Sequence, residues 1–183
     1  MTRIVAGVAG GRTIEVPASG TRPTSERVRE ALFSRLDHAN VLDGATVWDL
    51  YAGSGALGLE AASRGAAEVV LVEARRAAAD VCRRNAARLG LAGVRTVQQR
   101  VAAFLERARG PVDVVLADPP YDVGEGELAA ALAAVVPHLA PGAVVVVERT
   151  SRSPEPAWPA GVVRTGEKRY GETVLWFAEP TTA

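Results

Sequence analysis

Five short apolar runs alternate with helix-like stretches through the middle of this chain, and that alternation constrains the fold more than any other feature. TVWDL (46–50), EVVLVE (68–73), VRTVQQ (94–99), VDVVLAD (112–118) and AVVVVE (143–148) read as strands. VRTVQQ is the weaker of the five; the others are largely continuous and β-branched rather than alternating, the pattern of strands buried on both faces. Between them, residues 56–65, 75–89 and 126–139 read as helices, the first two stopped by Gly65 and Gly90. Pro141-Gly142 is expected to make the turn out of the third helix. Strand–helix–strand units of this kind cross over right-handed and build a doubly wound α/β sheet. The length, 183 residues, suits one such unit with a small appendage.

The two ends break the rhythm. Residues 3–6 and 12–16 suggest a short hairpin around Gly10-Gly11, and 23–36 reads as a helix capped by Thr24 or Ser25 with Val28, Ala31, Leu32 and Leu36 facing inward. Residues 162–177 read as two strands joined near Tyr170-Gly171. The net charge is zero, yet residues 1–29 and 149–170 each carry a local +3. Two basic ends on a neutral chain suit a nucleic-acid contact or a plain solvated surface. The lone cysteine, Cys82, excludes a disulfide framework and is expected to be a buried, inert thiol on a helix face. No run reaches the ~20 apolar residues of a membrane span, and the N-terminus lacks a signal-peptide core, so a soluble, cytoplasmic protein is expected.

The first strand runs into Asp49-Leu50-Tyr51-Ala52-Gly53-Ser54-Gly55-Ala56-Leu57-Gly58, a full G-x-G-x-x-G in a strand–turn–helix setting. Gly53 and Gly55 are expected to let the backbone approach a ligand, and Glu73, at the end of the next strand, to bond ribose hydroxyls. Alone, these residues fit a dinucleotide as well as any other adenosine-bearing cofactor. Asp49 tilts the choice: a carboxylate at the strand end suits a cationic cofactor such as S-adenosylmethionine and repels pyrophosphate. It could also serve as a helix or turn cap.

The fourth strand ends in Asp118-Pro119-Pro120-Tyr121, at the sheet edge where open α/β folds bind ligands. An amino group on an aromatic base is a poor nucleophile because its lone pair is delocalised. The Asp118 carboxylate and the Pro119 carbonyl can accept its two N–H bonds, the prolines stiffen the loop, and Tyr121 can stack on the base. Transfer of a methyl group to such a nitrogen is the chemistry this tetrapeptide serves. A nicotinamide oxidoreductase gives no reason for it, whereas a DNA adenine or cytosine amino-methyltransferase would use it equally well.

With these residues in hand, the chain resembles the class I methyltransferases, and within them the RsmD-like family of 16S rRNA guanine-N2 methyltransferases. The resemblance rests on Arg3-Ile4-Val5-Ala6-Gly7, Gly11-Arg12, the stretch from Arg22-Pro23-Thr24 through Val28-Arg29-Glu30-Ala31-Leu32-Phe33, the glycine loop, Asp118-Pro119-Pro120-Tyr121 and Lys168-Arg169-Tyr170-Gly171. It implies a seven-stranded, mostly parallel Rossmann-like sheet with its last strand antiparallel. It implies a catalytic domain over 41–179 and a hairpin-and-helix extension over 1–40 on the cofactor and RNA side. It implies a monomer acting on one guanine of 16S rRNA in the 30S subunit or its assembly intermediates. Cofactor contacts are expected from Asp49, Tyr51, Ala52, Gly53, Gly55, Glu73, Ala74 and Asp118. Val101 and Ala102 are expected to meet adenine through main-chain atoms, because the segment after the third strand has no acid. RNA contacts are expected from Arg3, Arg12, Arg22, Thr24, Arg27, Arg29, Lys168, Arg169 and Tyr170. Glu148, at the end of the fifth strand, is expected in solvent rather than in the cleft.

Overall fold

The computed structural model describes residues 1–17 and 24–181. A two-residue hairpin, β1 (Thr2–Arg3) with β2 (Thr13–Ile14), precedes α1 (Glu26–His38). The central elements are β3 (Thr46–Leu50), α2 (Ala56–Ser63), β4 (Glu68–Val72), α3 (Arg76–Leu89), β5 (Val94–Val97), α4 (Val101–Arg107), β6 (Val112–Ala117), α5 (Glu125–Val135) and β7 (Leu139–Thr150). The chain closes with the hairpin β8 (Val162–Tyr170) and β9 (Thr173–Pro180).

Seven strands form one sheet in the order β5-β4-β3-β6-β7-β9-β8. The pairs from β5 to β7 are parallel, and β9 runs antiparallel to both β7 and β8. The expected doubly wound sheet with an antiparallel last strand is therefore present. The order reverses between β3 and β6, so the carboxyl ends of these two strands flank the crevice where such sheets take ligands.

The buried strand residues sort by parity. Val47, Val69, Leu71, Val114, Leu116 and Val146 face one core with α1, α2 and α3. Trp48, Val70, Val72, Val115, Val145 and Val147 face the other with α4 and α5. Period-two alternation sends neighbours to opposite faces, which is why adjacent apolar residues of β3, β4, β6 and β7 are buried in turn on the two cores. Ile4, Ile14, Val28, Leu32, Phe33 and Leu36 belong to the first core, so the N-terminal residues pack directly on α2.

That packing is held by polar groups. Glu60, fully buried on α2, accepts the amide hydrogens of Val5 at 2.7 Å and Ala6 at 3.0 Å. Ser63 Oγ accepts the Ala9 amide at 2.9 Å. Gly7 has φ +81°, and a Cβ there would lie 1.9 Å from the Ser63 carbonyl oxygen.

Two expectations are corrected, on the inner face of α1 and on the Pro141-Gly142 turn. Of the two expected caps, Ser25 caps α1, accepting from the Val28 amide at 3.3 Å. The inner face of α1 also takes Arg29 and Phe33, while Ala31 is only half-buried. Pro141-Gly142 does not separate helix from strand: it lies inside β7, at a register shift where Val112 pairs with Leu139 and Val114 with Val144. Helix α4 was not legible, because Val101, Phe104 and Leu105 give only a single turn of apolar periodicity.

Candidate active site

Asp49 comes at the penultimate position of β3, and its side chain turns under the glycine loop. Its Oδ2 accepts the Gly58 amide at 2.8 Å, one of the unpaired donors in the first turn of α2. The capping role weighed for Asp49 is thus real. Burial raises its pKa to about 8, opposed by the Gly58 hydrogen bond and assisted by the charges of Asp118 and Glu73.

Glu73 follows β4 and is buried. Its Oε2 accepts the Gly53 amide at 2.9 Å, and its Oε1 accepts the Arg75 amide at 2.9 Å. From below, Cys82 Sγ donates to the Gly53 carbonyl at 3.2 Å, and Asn85 Nδ2 donates to the Ser54 carbonyl at 2.9 Å. Cys82 is buried on α3 as expected, and burial drives its thiol pKa well up. Asn85 escaped the sequence reading, since a lone asparagine inside a helix carries no motif.

The glycines act differently from expectation. Gly55 has φ +82°, and a Cβ on it would meet Leu71 at 3.0 Å and Leu59 at 3.2 Å. Its missing side chain makes room for the protein's own core, not for a ligand. Gly58 packs likewise, its absent Cβ falling 2.3 Å from Leu71. Tyr51 is a non-glycine residue at φ +67°, with its ring packed on the α4–α5 side. Burial lifts its phenol pKa to about 12, and Glu127 adds to the effect. The Tyr51 side chain is therefore turned away from the loop, and only its backbone is left for a cofactor. Ala52 is buried and Ala74 exposed beside Glu73, while Val101 and Ala102 open α4 past the end of β5.

Asp118 leaves β6 next to this loop, since Leu50 pairs with Ala117. It is half-buried, Pro119 is buried, and Tyr121 is 77% exposed. The Val123 amide donates to the Pro120 carbonyl at 3.0 Å, closing the turn that presents Tyr121. Thr24 Oγ1 lies 3.1 Å from Asp118 Oδ2 and 2.9 Å from Glu148 Oε2. Burial raises the Asp118 pKa to about 6, while the Thr24 hydroxyl and the Arg149 charge pull it down.

A cavity of about 480 Å³ opens in front of these groups, walled by Asp118–Tyr121, Thr24, Glu148, Arg149, Tyr170 and the 151–153 turn. The glycine loop does not line this cavity; it stands beside Asp118 on the neighbouring strand. Asp118 is thus placed between a chamber sized for a base and the Asp49–Glu73 loop.

The basic residues scatter. Arg3, Arg27, Lys168 and Arg169 are exposed, Arg3 pairing with Glu26 and Arg169 with Glu167. Arg12 is exposed, but its guanidinium donates to the Arg88 and Leu89 carbonyls at the end of α3. Arg29 is corrected: it is 0% exposed and donates to Thr2 Oγ1 and the Arg3 carbonyl, so it anchors the N-terminus instead of meeting RNA. Thr24 is buried, with its hydroxyl turned to Asp118 in the wall of the cavity rather than out on the basic surface. Glu148 is half-buried in the cavity wall, not a solvent acid. Arg149, missed as a site residue, joins the wall and pairs with Glu125. Arg22 lies outside the described residues.

Three carboxylates, Asp49, Glu73 and Asp118, surround the glycine loop, and two have raised pKa values. Such a site favours a cofactor that brings positive charge and penalises a pyrophosphate. S-adenosylmethionine, with a sulfonium and an ammonium group, fits this donor set. The sheet order, the switch-point loop and the Asp118-Pro119-Pro120-Tyr121 cavity define an S-adenosylmethionine-dependent methyltransferase of the Rossmann-like class.

Comparison with known proteins narrows the class. The family described as Conserved hypothetical protein 95 matches residues 2–179. Ribosomal RNA small subunit methyltransferase D of Escherichia coli K12 is 39% identical over 171 residues, covering 93% of this chain and 85% of that protein. The protein of the same name from Haemophilus influenzae is 34% identical over 83% of this chain and 80% of its own. The solved structure of the E. coli methyltransferase YhhF superposes with a TM-score of 0.87 at 35% identity, covering 98% of this chain and 97% of that one. The chain belongs to this family, the RsmD family of methyltransferases.

Proposed function

We propose that the protein methylates the exocyclic N2 of one guanine in small-subunit ribosomal RNA. The observation that carries this reading is the placement of Asp118, with Pro119 and an exposed Tyr121, in the wall of a cavity roomy enough to admit a base, beside the glycine loop. The names of the E. coli and H. influenzae relatives support ribosomal RNA as the substrate.

When bound, S-adenosylmethionine supplies a methyl group on a positively charged sulfur; the S–C bond breaks with its electrons staying on sulfur as the N–C bond forms. The backbone at Tyr51–Gly55, the carboxylates of Asp49 and Glu73, Ala74 and the main chain at Val101–Ala102 hold the cofactor. Glu73 binds the ribose hydroxyls, having capacity beyond the two amides it already accepts. The base enters the cavity and stacks on Tyr121. The Asp118 carboxylate and the Pro119 carbonyl each accept one N–H of the amine, turning its lone pair toward the methyl carbon. Positioning supplies most of the rate. The methylated nitrogen then sheds one proton, which the Asp118 carboxylate can accept with its pKa near 6.

Residues 1–40 form a cap on the RNA side of the catalytic unit over 41–179. Arg3, Arg27, Lys168, Arg169 and Tyr170 contact the RNA, in the 30S subunit or an assembly intermediate, with the enzyme acting as a cytoplasmic monomer. Purified protein incubated with S-adenosylmethionine and 30S particles lacking the modification is expected to leave N2-methylguanosine at one rRNA position, read by nucleoside mass spectrometry. Methylation only of duplex DNA would overturn this reading.

A further inference from the structure

The geometry points to Glu148 as the residue that selects guanine, by accepting the N1–H of the base whose amine Asp118 holds. This inference rests on the guanine-N2 reading above and extends it to a residue that the catalytic tetrapeptide does not contain.

Asp118 follows the last residue of β6, and Glu148 lies within the neighbouring parallel strand β7 at the same level, since Ala117 pairs with Val147. Both line the same cavity. One hydroxyl, Thr24 Oγ1, lies within hydrogen-bond distance of an oxygen of each carboxylate. A threonine hydroxyl has a single proton, so it donates to one carboxylate at a time, while each carboxylate can accept several hydrogen bonds. Thr24 itself is buried just before the Ser25 cap of α1, so a third element bridges the two acids.

The edges of the amino-bearing bases differ in what they offer this pair. Guanine presents N1–H next to its N2 amine, so its edge is all donor at these positions. Adenine presents its amine beside a bare N1, and cytosine beside a bare N3. Each of these lone pairs would face the Glu148 carboxylate with no hydrogen between. Asp118 and Pro119 recognise any exocyclic amine and cannot separate the three bases. A second carboxylate at this place rejects adenine and cytosine by repulsion and by burying an unpaired acceptor, the kind of penalty that separates substrates far more sharply than missing apolar contact.

The test uses 30S particles whose rRNA carries, at the mapped position, either guanosine or 2-aminopurine ribonucleoside. The analogue keeps the amine but has a bare N1. Because it also lacks the 6-oxygen, the informative quantity is the ratio of kcat/KM for the two substrates compared between wild type and Glu148→Gln. Wild type is expected to prefer guanosine by about 100-fold or more. In Glu148→Gln, whose amide can turn a donor toward the bare N1, the preference is expected to narrow to under about tenfold. S-adenosylhomocysteine affinity and Tm are expected to stay near wild type, which separates lost recognition from lost folding. Glu148→Asp, which keeps the charge, is expected to retain the preference at lower kcat/KM. An unchanged ratio in Glu148→Gln overturns this inference and leaves the guanine-N2 reading standing. A wild-type enzyme that does not methylate guanine N2 overturns both.

Discussion

The Glu73 carboxylate accepts the Gly53 amide hydrogen at 2.9 Å, so the acid at the end of β4 and the glycine loop after β3 move as one unit. The contact ties the loop to β4 without a cofactor, and the same carboxylate is the one proposed to bind ribose.

Glu73→Ala removes both the loop clamp and the ribose acceptor. Hydrogen bonds to charged groups contribute about 1.5–3 kcal/mol each, so S-adenosylhomocysteine affinity is expected to fall roughly 10- to 100-fold by titration calorimetry. An unchanged Kd would remove Glu73 from the cofactor site.

The pKa of Asp118 is raised to about 6 chiefly by burial, and in the proposed mechanism it is expected to set the acid limb of activity. Below that pH the carboxyl carries a proton and loses acceptor capacity toward the amine. The kcat/KM for methyl transfer is expected to decline as pH falls through about 6, well above the usual carboxylate range. In Asp118→Asn the residual rate is expected to lack this limb.

Asp49 gives a stability effect of opposite sign to a salt-bridged acid. Its folded pKa, about 8, exceeds its unfolded value of 3.8, so the folded state binds the proton more tightly. Stability from this group is fully present below about pH 4 and is lost as pH rises through about 8. In the cofactor-free protein, Tm is expected to drop across this window, and Asp49→Asn is expected to flatten the slope. An identical pH–Tm profile in the variant would contradict it.

Gly7 is fixed by both conformation and space. Its φ is +81°, and a Cβ would sit 1.9 Å from the Ser63 carbonyl oxygen, a backbone atom that cannot swing aside. Gly7→Ala is expected to cost more than about 1 kcal/mol, the level at which such strain exceeds the usual gain from replacing glycine, and to loosen the N-terminal residues from α2. Urea unfolding measures it.

The sheet was legible because its central strands are largely apolar, β-branched runs closed by turn signals, and the glycine loop because its glycines follow a strand. The tetrapeptide was legible because its chemistry needs an acid, a proline carbonyl and an aromatic in sequence. What stayed hidden depends on contacts between distant segments. Nothing local shows that Thr24 reaches across 94 residues to Asp118 and 124 to Glu148. Nor does it show that Arg29, one of several arginines in a basic stretch, turns inward while Arg27 stays in solvent. Gly55 was read as making room for a ligand, and the neighbours of its absent Cβ, Leu59 and Leu71, were hidden because they come from α2 and β4.

In the proposed mechanism the main task of Asp118 is to hold the amine, its charge adding only modestly to the hold on the cofactor. Single-turnover transfer of a labelled methyl group to unmodified 30S particles by Asp118→Ala, with S-adenosylhomocysteine affinity measured on the same preparation, tests it most directly. Transfer is expected to slow by about 100-fold or more while affinity stays within a few-fold of wild type. Full transfer activity in that variant would contradict the account.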